Sequence, residues 1–249
     1  MKTSLTVHSC IAAVFTALVC ITTISFTVYI PSTKGYFNIG EAMIYTAAIL
    51  FGPLIGAFAG GVGSMLADIL LGYYYYAPAT FIVKAIEGFV VGFLSRKIRI
   101  STGTYTKFEL RAFTTITGVL LGVLIISLGI LYYSGFAEFH YGFALENSAS
   151  TIFIPVEFWF GVGVFAIFMV SALAFTSDPE FGFTIVSCVF GGLLMVLGYF
   201  LYEQFALGVF ALAEVPINIG QMTVGLTVAT PIVKVVRRAL PQIKAILKI

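Results

Sequence analysis

Residues 36–96 read YFNIGEAMIYTAAILFGPLIGAFAGGVGSMLADILLGYYYYAPATFIVKAIEGFVVGFLSR. The stretch is apolar enough to sit in a bilayer, yet it carries Asn38, Glu41, Asp68, Lys84 and Glu87. Charged groups placed there are costly, so they line a cavity or pair with one another. Between them runs a series of small residues that lets helices approach closely. The first expectation is a membrane protein with a polar site built among tightly packed helices.

Composition bounds the class. Of 249 residues, 60% are hydrophobic and 10% charged, against about 25% charged in soluble domains. No polar linker separates two halves, so residues 1–249 read as a single membrane domain. A net charge of +2 is too small to imply a nucleic-acid partner. Cys10, Cys20 and Cys188 are isolated in apolar runs, and His8 and His140 are single, so neither metal nor cofactor is expected. The apolar run from Cys10 to Ile30 exceeds a signal-peptide core of roughly 7–15 residues. Pro31-Ser32-Thr33-Lys34 follows it in place of a cleavage site, so a first transmembrane helix is expected there.

Apolar spans near 7–30, 39–56, 57–73, 79–96, 110–133, 152–176, 183–203 and 215–236 predict about eight transmembrane helices. The second and third are short, Gly-rich and meet near Gly52-Pro53. With both termini cytoplasmic, Arg96, Lys97, Arg99, Lys107, Arg111, Lys234, Arg237, Arg238, Lys244, Lys248 and Lys2 fall inside, as the positive-inside rule asks. Lys34 alone lies in an outer loop. The outer segments then collect Glu138, Glu146, Glu157, Glu203 and Glu214.

Two helix starts echo one another. Asn38-Ile39-Gly40-Glu41 opens the second span and Asn218-Ile219-Gly220-Gln221 the last. Each puts Asn three residues before Glu or Gln, the spacing of a capping box; alternatively, both starts face one pocket. Gly52, Gly56 and Gly60, Gly88 and Gly92, Gly118 and Gly122, and Ala13 and Ala17 recur at spacing four, which marks packing faces.

Catalytic chemistry is missing from the pattern. No phosphate-binding G-x-x-x-x-G-K-[ST] loop, H-E-x-x-H or G-x-S-x-G occurs. Asp68 would need a second carboxylate sharing its proton to act as an aspartyl protease. Glu87 is the other mid-span acid, and Lys84 one turn before it points to an ion pair instead. Enzyme activity is therefore not expected, and binding remains. Aromatic residues make up 16% of the chain, with Tyr73 to Tyr76 forming either an interfacial belt or a stacking surface. Near them fall Asn38, Glu41, Thr80, Lys84, Glu203, Asn218 and Gln221, the few polar groups that a small-molecule site requires.

The chain resembles the substrate-binding S-components of energy-coupling-factor (ECF) vitamin transporters, most closely the riboflavin type. The matching pieces are YFNIGEA, LFGPLIGAFAGGVGSMLADILLGY, YAPATFIVKAIEGFVVG, MVLGYFLYEQFALG and AEVPINIGQMTVGLTVATP, about half of the chain. The resemblance implies an all-α integral membrane protein with a six-helix core in the plasma membrane, surrounded by the lipid bilayer. It implies capture of a vitamin or precursor from outside, in partnership with a transmembrane coupling subunit and two ABC ATPases. It also nominates Ala13 and Ala17 for docking on the coupling subunit. For the ligand it nominates Asn38, Glu41, Lys84, Tyr199, Glu203, Asn218 and Gln221, and the full expected binding set adds Tyr45 and Thr80. Residues 1–99 and 183–249 match the core, whereas 100–182 read as an insertion with two extra spans around a polar outer loop. Riboflavin is the first expectation for the ligand. The alternatives are a solitary ion-coupled transporter using Asp68 and Glu87, or a membrane sensor or assembly subunit.

Overall fold

The computed structural model describes residues 5–30, 35–101, 106–141, 148–176, 179–207, 211 and 214–239. Eight helices and four short strands follow in the order α1 (Leu5–Ser25), β1 (Thr27–Ile30), β2 (Gly35–Asn38), α2 (Glu41–Phe51), α3 (Pro53–Leu71), α4 (Ala77–Ser101), α5 (Lys107–Tyr133), β3 (Gly135–Tyr141), β4 (Ser148–Ile154), α6 (Val156–Thr176), α7 (Pro179–Leu207) and α8 (Val215–Ala239). Among the described residues, α1, α3, α4, α5, α7 and α8 are long and apolar enough to cross a membrane. This is an all-α integral membrane architecture with a small sheet at one end.

The count of about eight spans needs a refinement. At 11 residues, α2 reaches only about 16 Å, half of a hydrocarbon core of about 30 Å. It starts partway into the bundle, because β2 carries the chain down to Glu41. It ends at Gly52, whose φ of 89° suits a residue without Cβ. Pro53 then starts α3 at a position where its missing N–H costs nothing. The last carbonyls of α2 have no helical partners. Arg96 of α4 donates to the Phe51 carbonyl at 2.8 Å, and Arg237 of α8 reaches that of Ile49 at 3.4 Å. Two arginines thus close the C-terminal end of a half-length helix.

Glycine faces set the packing. A Cβ on Gly88 of α4 would overlap the backbone of Gly56 in α3, and one on Gly92 would meet Gly52 and Pro53. Gly122 of α5 and Gly163 of α6 approach each other in the same way. The spacing-four glycines are therefore contact faces, as expected from the sequence. The core is centred on α2, whose Ile44, Tyr45, Ala47, Ala48 and Ile49 are almost wholly buried.

The sheet corrects two readings. The span expected at 7–30 stops at Ser25, and Thr27–Ile30 pairs antiparallel with Gly35–Asn38. β-branched and aromatic residues favour this extended state. The loop expected around His140 is a hairpin of β3 and β4, which joins β1 through Tyr29 and His140. The sheet order is β2-β1-β3-β4, so the segment between α5 and α6 extends the hairpin that follows α1. Glu146, Lys2, Lys34, Lys244 and Lys248 lie outside the described residues.

Candidate functional site

Four helices each bring polar residues one turn apart to a common interior. Ser64 and Asp68 stand on α3, Thr80 and Lys84 on α4, Tyr199 and Glu203 on α7, and Asn218 and Gln221 on α8. Spacings of three or four residues put each pair on one helix face. With Thr23, Gly35, Tyr36, Asn38, Tyr76 and Glu214, they line a cavity of about 40 Å³. That holds a few waters, whereas drug-sized ligands occupy pockets of about 300–1,000 Å³. A multi-ring ligand therefore requires the walls to move apart.

The cavity lies in the half of the bundle near the sheet. Arg96, Arg111, Arg237 and Arg238 mark the opposite end, at the close of α4, the start of α5 and the close of α8. By the positive-inside rule that end is cytoplasmic, so the cavity faces outward.

Beneath the cavity lies a buried ionic cluster. Lys84 hydrogen-bonds Glu41, and its ammonium is 3.3 Å from Glu87. Glu87 also accepts a 2.8 Å bond from the Tyr45 hydroxyl. Tyr199 presents its ring to Lys84, 5.4 Å from the centroid, and donates to Thr80 at 3.0 Å. Such a cluster holds its charges only because each has partners.

The two echoing motifs meet one another. The Gln221 carbonyl accepts from the Asn38 backbone N–H at 3.1 Å and from the Asn38 side-chain amide. Gln221 in turn donates to Asn218 at 2.8 Å. Asn38 Oδ1 accepts from the Gly40 N–H at 2.9 Å. The capping-box expectation is thereby corrected. Gly40 is the N-cap of α2 and has no side-chain cap bond. Helix α8 starts at Val215, so Asn218 and Gln221 lie inside it. Their shared spacing builds a bridge between β2 and α8.

Of the residues nominated from the sequence, Asn38, Thr80, Lys84, Tyr199, Glu203, Asn218 and Gln221 line the cavity. Glu41 and Tyr45 stand behind it, both fully buried against the Lys84 cluster. Glu203 and Glu214, assigned above to the outer segments, are buried cavity walls at 2% and 3% exposure. Sequence reading left Tyr36, Ser64, Asp68 and Tyr76 out of the binding set. The available signal was Ser64-x-x-x-Asp68, a polar pair at helical spacing in an apolar run. Ala13 and Ala17 are exposed on one face of α1.

The tyrosine run divides. Tyr74 and Tyr75 point outward, whereas Tyr76 lines the cavity and Tyr73 packs on Tyr36 at 4.7 Å between ring centroids. Tyr36 donates to Asp68 at 2.5 Å. Burial and then the Asp68 charge hold the Tyr36 hydroxyl well above its ordinary range. Burial pushes Tyr73 up to about 12, with help from Tyr29, Asp68 and Glu214. Tyr76 is raised by burial and by Glu203 and Glu214. All three stay protonated, so they present hydroxyl donors at neutral pH. Among the described residues, no group of three or more His, Cys, Asp or Glu could hold a metal ion.

Comparison with known proteins gives two findings. A family model described as ECF-type riboflavin transporter, S component, matches residues 4–153. The matched range runs from α1 through the β3–β4 hairpin. A Pyrococcus woesei protein described as "Uncharacterized protein in gap 3'region" is 41% identical over 111 residues, covering 45% of this chain and 67% of the relative.

Proposed function

This chain belongs to the family of S components of ECF-type riboflavin transporters, and from that premise we propose that it captures riboflavin at the outer face of the plasma membrane. As a member it is a multi-pass membrane protein of vitamin uptake, the substrate-binding part of a transporter. The observation that carries the proposal is the outward-facing, tyrosine-walled polar cavity between α3, α4, α7 and α8. A flat heterocycle stacks on tyrosine faces, and its polar edge bonds side chains such as Asn218 and Gln221. Asn38, Thr80, Lys84, Tyr199 and Glu203 complete the proposed contact set, with Glu41 holding Lys84 in place and Tyr45 holding Glu87 beside it.

Delivery inward falls to a coupling subunit and two ABC ATPases. The exposed Ala13 and Ala17 support docking on the coupling subunit, since small residues at spacing four admit a second helix. Residues 100–182 are an insertion in this reading: α5 and α6 form an added hairpin beside α7, and β3–β4 extends the cover. Glu87 is engaged by Lys84 and Tyr45, which counts against a coupling-ion role for it.

The direct test is mass spectrometry of small molecules released from purified, denatured protein expressed in vitamin-replete medium. Riboflavin at near-stoichiometric yield is expected. A protein that releases nothing and shows no thermal shift across a vitamin panel would sink the capture reading.

A further inference from the structure

We infer that Asp68 and Glu203 are specificity-determining residues that admit neutral or cationic, donor-rich ligands and exclude phosphorylated ones. The inference rests on the capture reading above. Both carboxylates line the cavity and both are 2% exposed. Asp68 Oδ1 accepts from Tyr36, but Asp68 Oδ2 and Glu203 Oε2 have no hydrogen-bond partner among the described residues. A carboxyl oxygen without a partner is an open hydrogen-bond acceptor. Two buried acceptors left over are costly to the protein alone, and a ligand that brings hydroxyl or N–H donors removes the cost.

The charge balance points the same way. Asp68, Glu203 and Glu214 line the cavity, and Lys84 is the one lysine or arginine among the described lining residues. Lys84 is already held by Glu41 and Glu87. An arriving phosphate would meet three acids and a cation with two carboxylate partners. Each acid that is ionised as the ligand enters repels the phosphate, and the low dielectric of the site strengthens that repulsion. A polyhydroxylated chain or a protonated amine meets acceptors instead. Asp68 on α3 and Glu203 on α7 thus read the polar end of the ligand by charge and hydrogen-bond direction.

The test compares riboflavin with riboflavin 5′-phosphate on the full chain in detergent near neutral pH, following quenching of flavin fluorescence. The phosphate ester is expected to bind at least about a hundredfold more weakly than riboflavin. In Asp68→Asn with Glu203→Gln, the gap should narrow to within about tenfold. If the double variant does not fold, Glu203→Gln alone carries the same readout. Equal affinity for the two flavins in the parent, or an unchanged ratio in the folded variants, overturns the inference and leaves the capture reading standing. A folded parent that binds neither flavin overturns the riboflavin reading itself.

Discussion

Two groups of buried polar side chains differ in whether a cation holds their carboxylates. In the lower group, Lys84 pairs with Glu41 and Glu87, and Tyr45 donates to Glu87. Each of the four carboxylates keeps one oxygen without a hydrogen bond, Glu41 and Glu87 below and Asp68 and Glu203 above, but among the described residues Lys84 is paired with the lower two and with neither of the upper two. Carboxylates neutralised by a shared cation are expensive to disturb and offer little to a ligand. Carboxyl groups without a cation contribute less to the fold and stand open to donors that a ligand brings. Burial alone, nearly complete in both groups, does not separate them; the position of the Lys84 cation does.

Substitution can break or sharpen that contrast. The largest effect is expected from Lys84→Met, which strands two buried carboxylates and should lower stability by about 3–5 kcal/mol. Thermal unfolding in detergent checks it, and an unchanged midpoint would dissolve the lower group as a unit. Next come Asn218→Ala and Gln221→Ala, at the bridge to β2. Each should weaken riboflavin binding by about 1–3 kcal/mol by unpairing a buried group, as read by calorimetry. Poor folding with normal affinity in the folded fraction would make the bridge purely structural. Asp68→Asn should do the reverse of Lys84→Met and leave stability equal to the parent or higher. A clear loss would mean that the upper group also holds the fold together.

A smaller effect lies far from both groups. Thr106 and Glu109 form a capping box at the start of α5, and the hydrogen bonds from Thr106 hold the Glu109 carboxyl below its usual range. Its folded pKa is depressed, so its contribution is present above the unfolded pKa, about 4.3, and fades as pH falls through the folded value. Glu109→Gln should flatten that part of the stability profile below neutrality. At the far end of the series, Ala13→Trp with Ala17→Trp should leave riboflavin affinity untouched while abolishing uptake by the assembled transporter. Unimpaired uptake would take the docking role away from that face.

Much of the membrane architecture was legible because apolar length and glycine spacing act locally. The break at Gly52-Pro53 and the α3–α4 contact through Gly56 and Gly88 both follow from such patterns. The sheet was hidden because Thr27–Ile30 is as apolar as the helix it follows, so hydropathy ran on across Ser25. The strand fold of Gly35–Asn38 also depends on a partner across a turn. The site was half legible. Asn38, Lys84 and Gln221 stood out as polar residues in apolar runs. What the sequence could not tell is which polar groups satisfy one another, and for that reason Tyr45 was nominated with the cavity residues and Asp68 was not. Capping failed for a related cause: helix α8 starts three residues before Asn218, and no local signal says that Gln221 reaches across to β2.

The closed end of α2 has a consequence for the order in which the protein is made. The carbonyls of Phe51 and Ile49 wait for arginines 45 and 188 residues further along the chain. A growing chain that has threaded α1 to α7 into the membrane still lacks Arg237, together with the α8 face that carries Asn218 and Gln221. Helix α8 therefore completes both the inner end of α2 and the outer cavity above it. Until α8 arrives, a ribosome-bound intermediate has its spans in place but neither a finished core nor a site to fill.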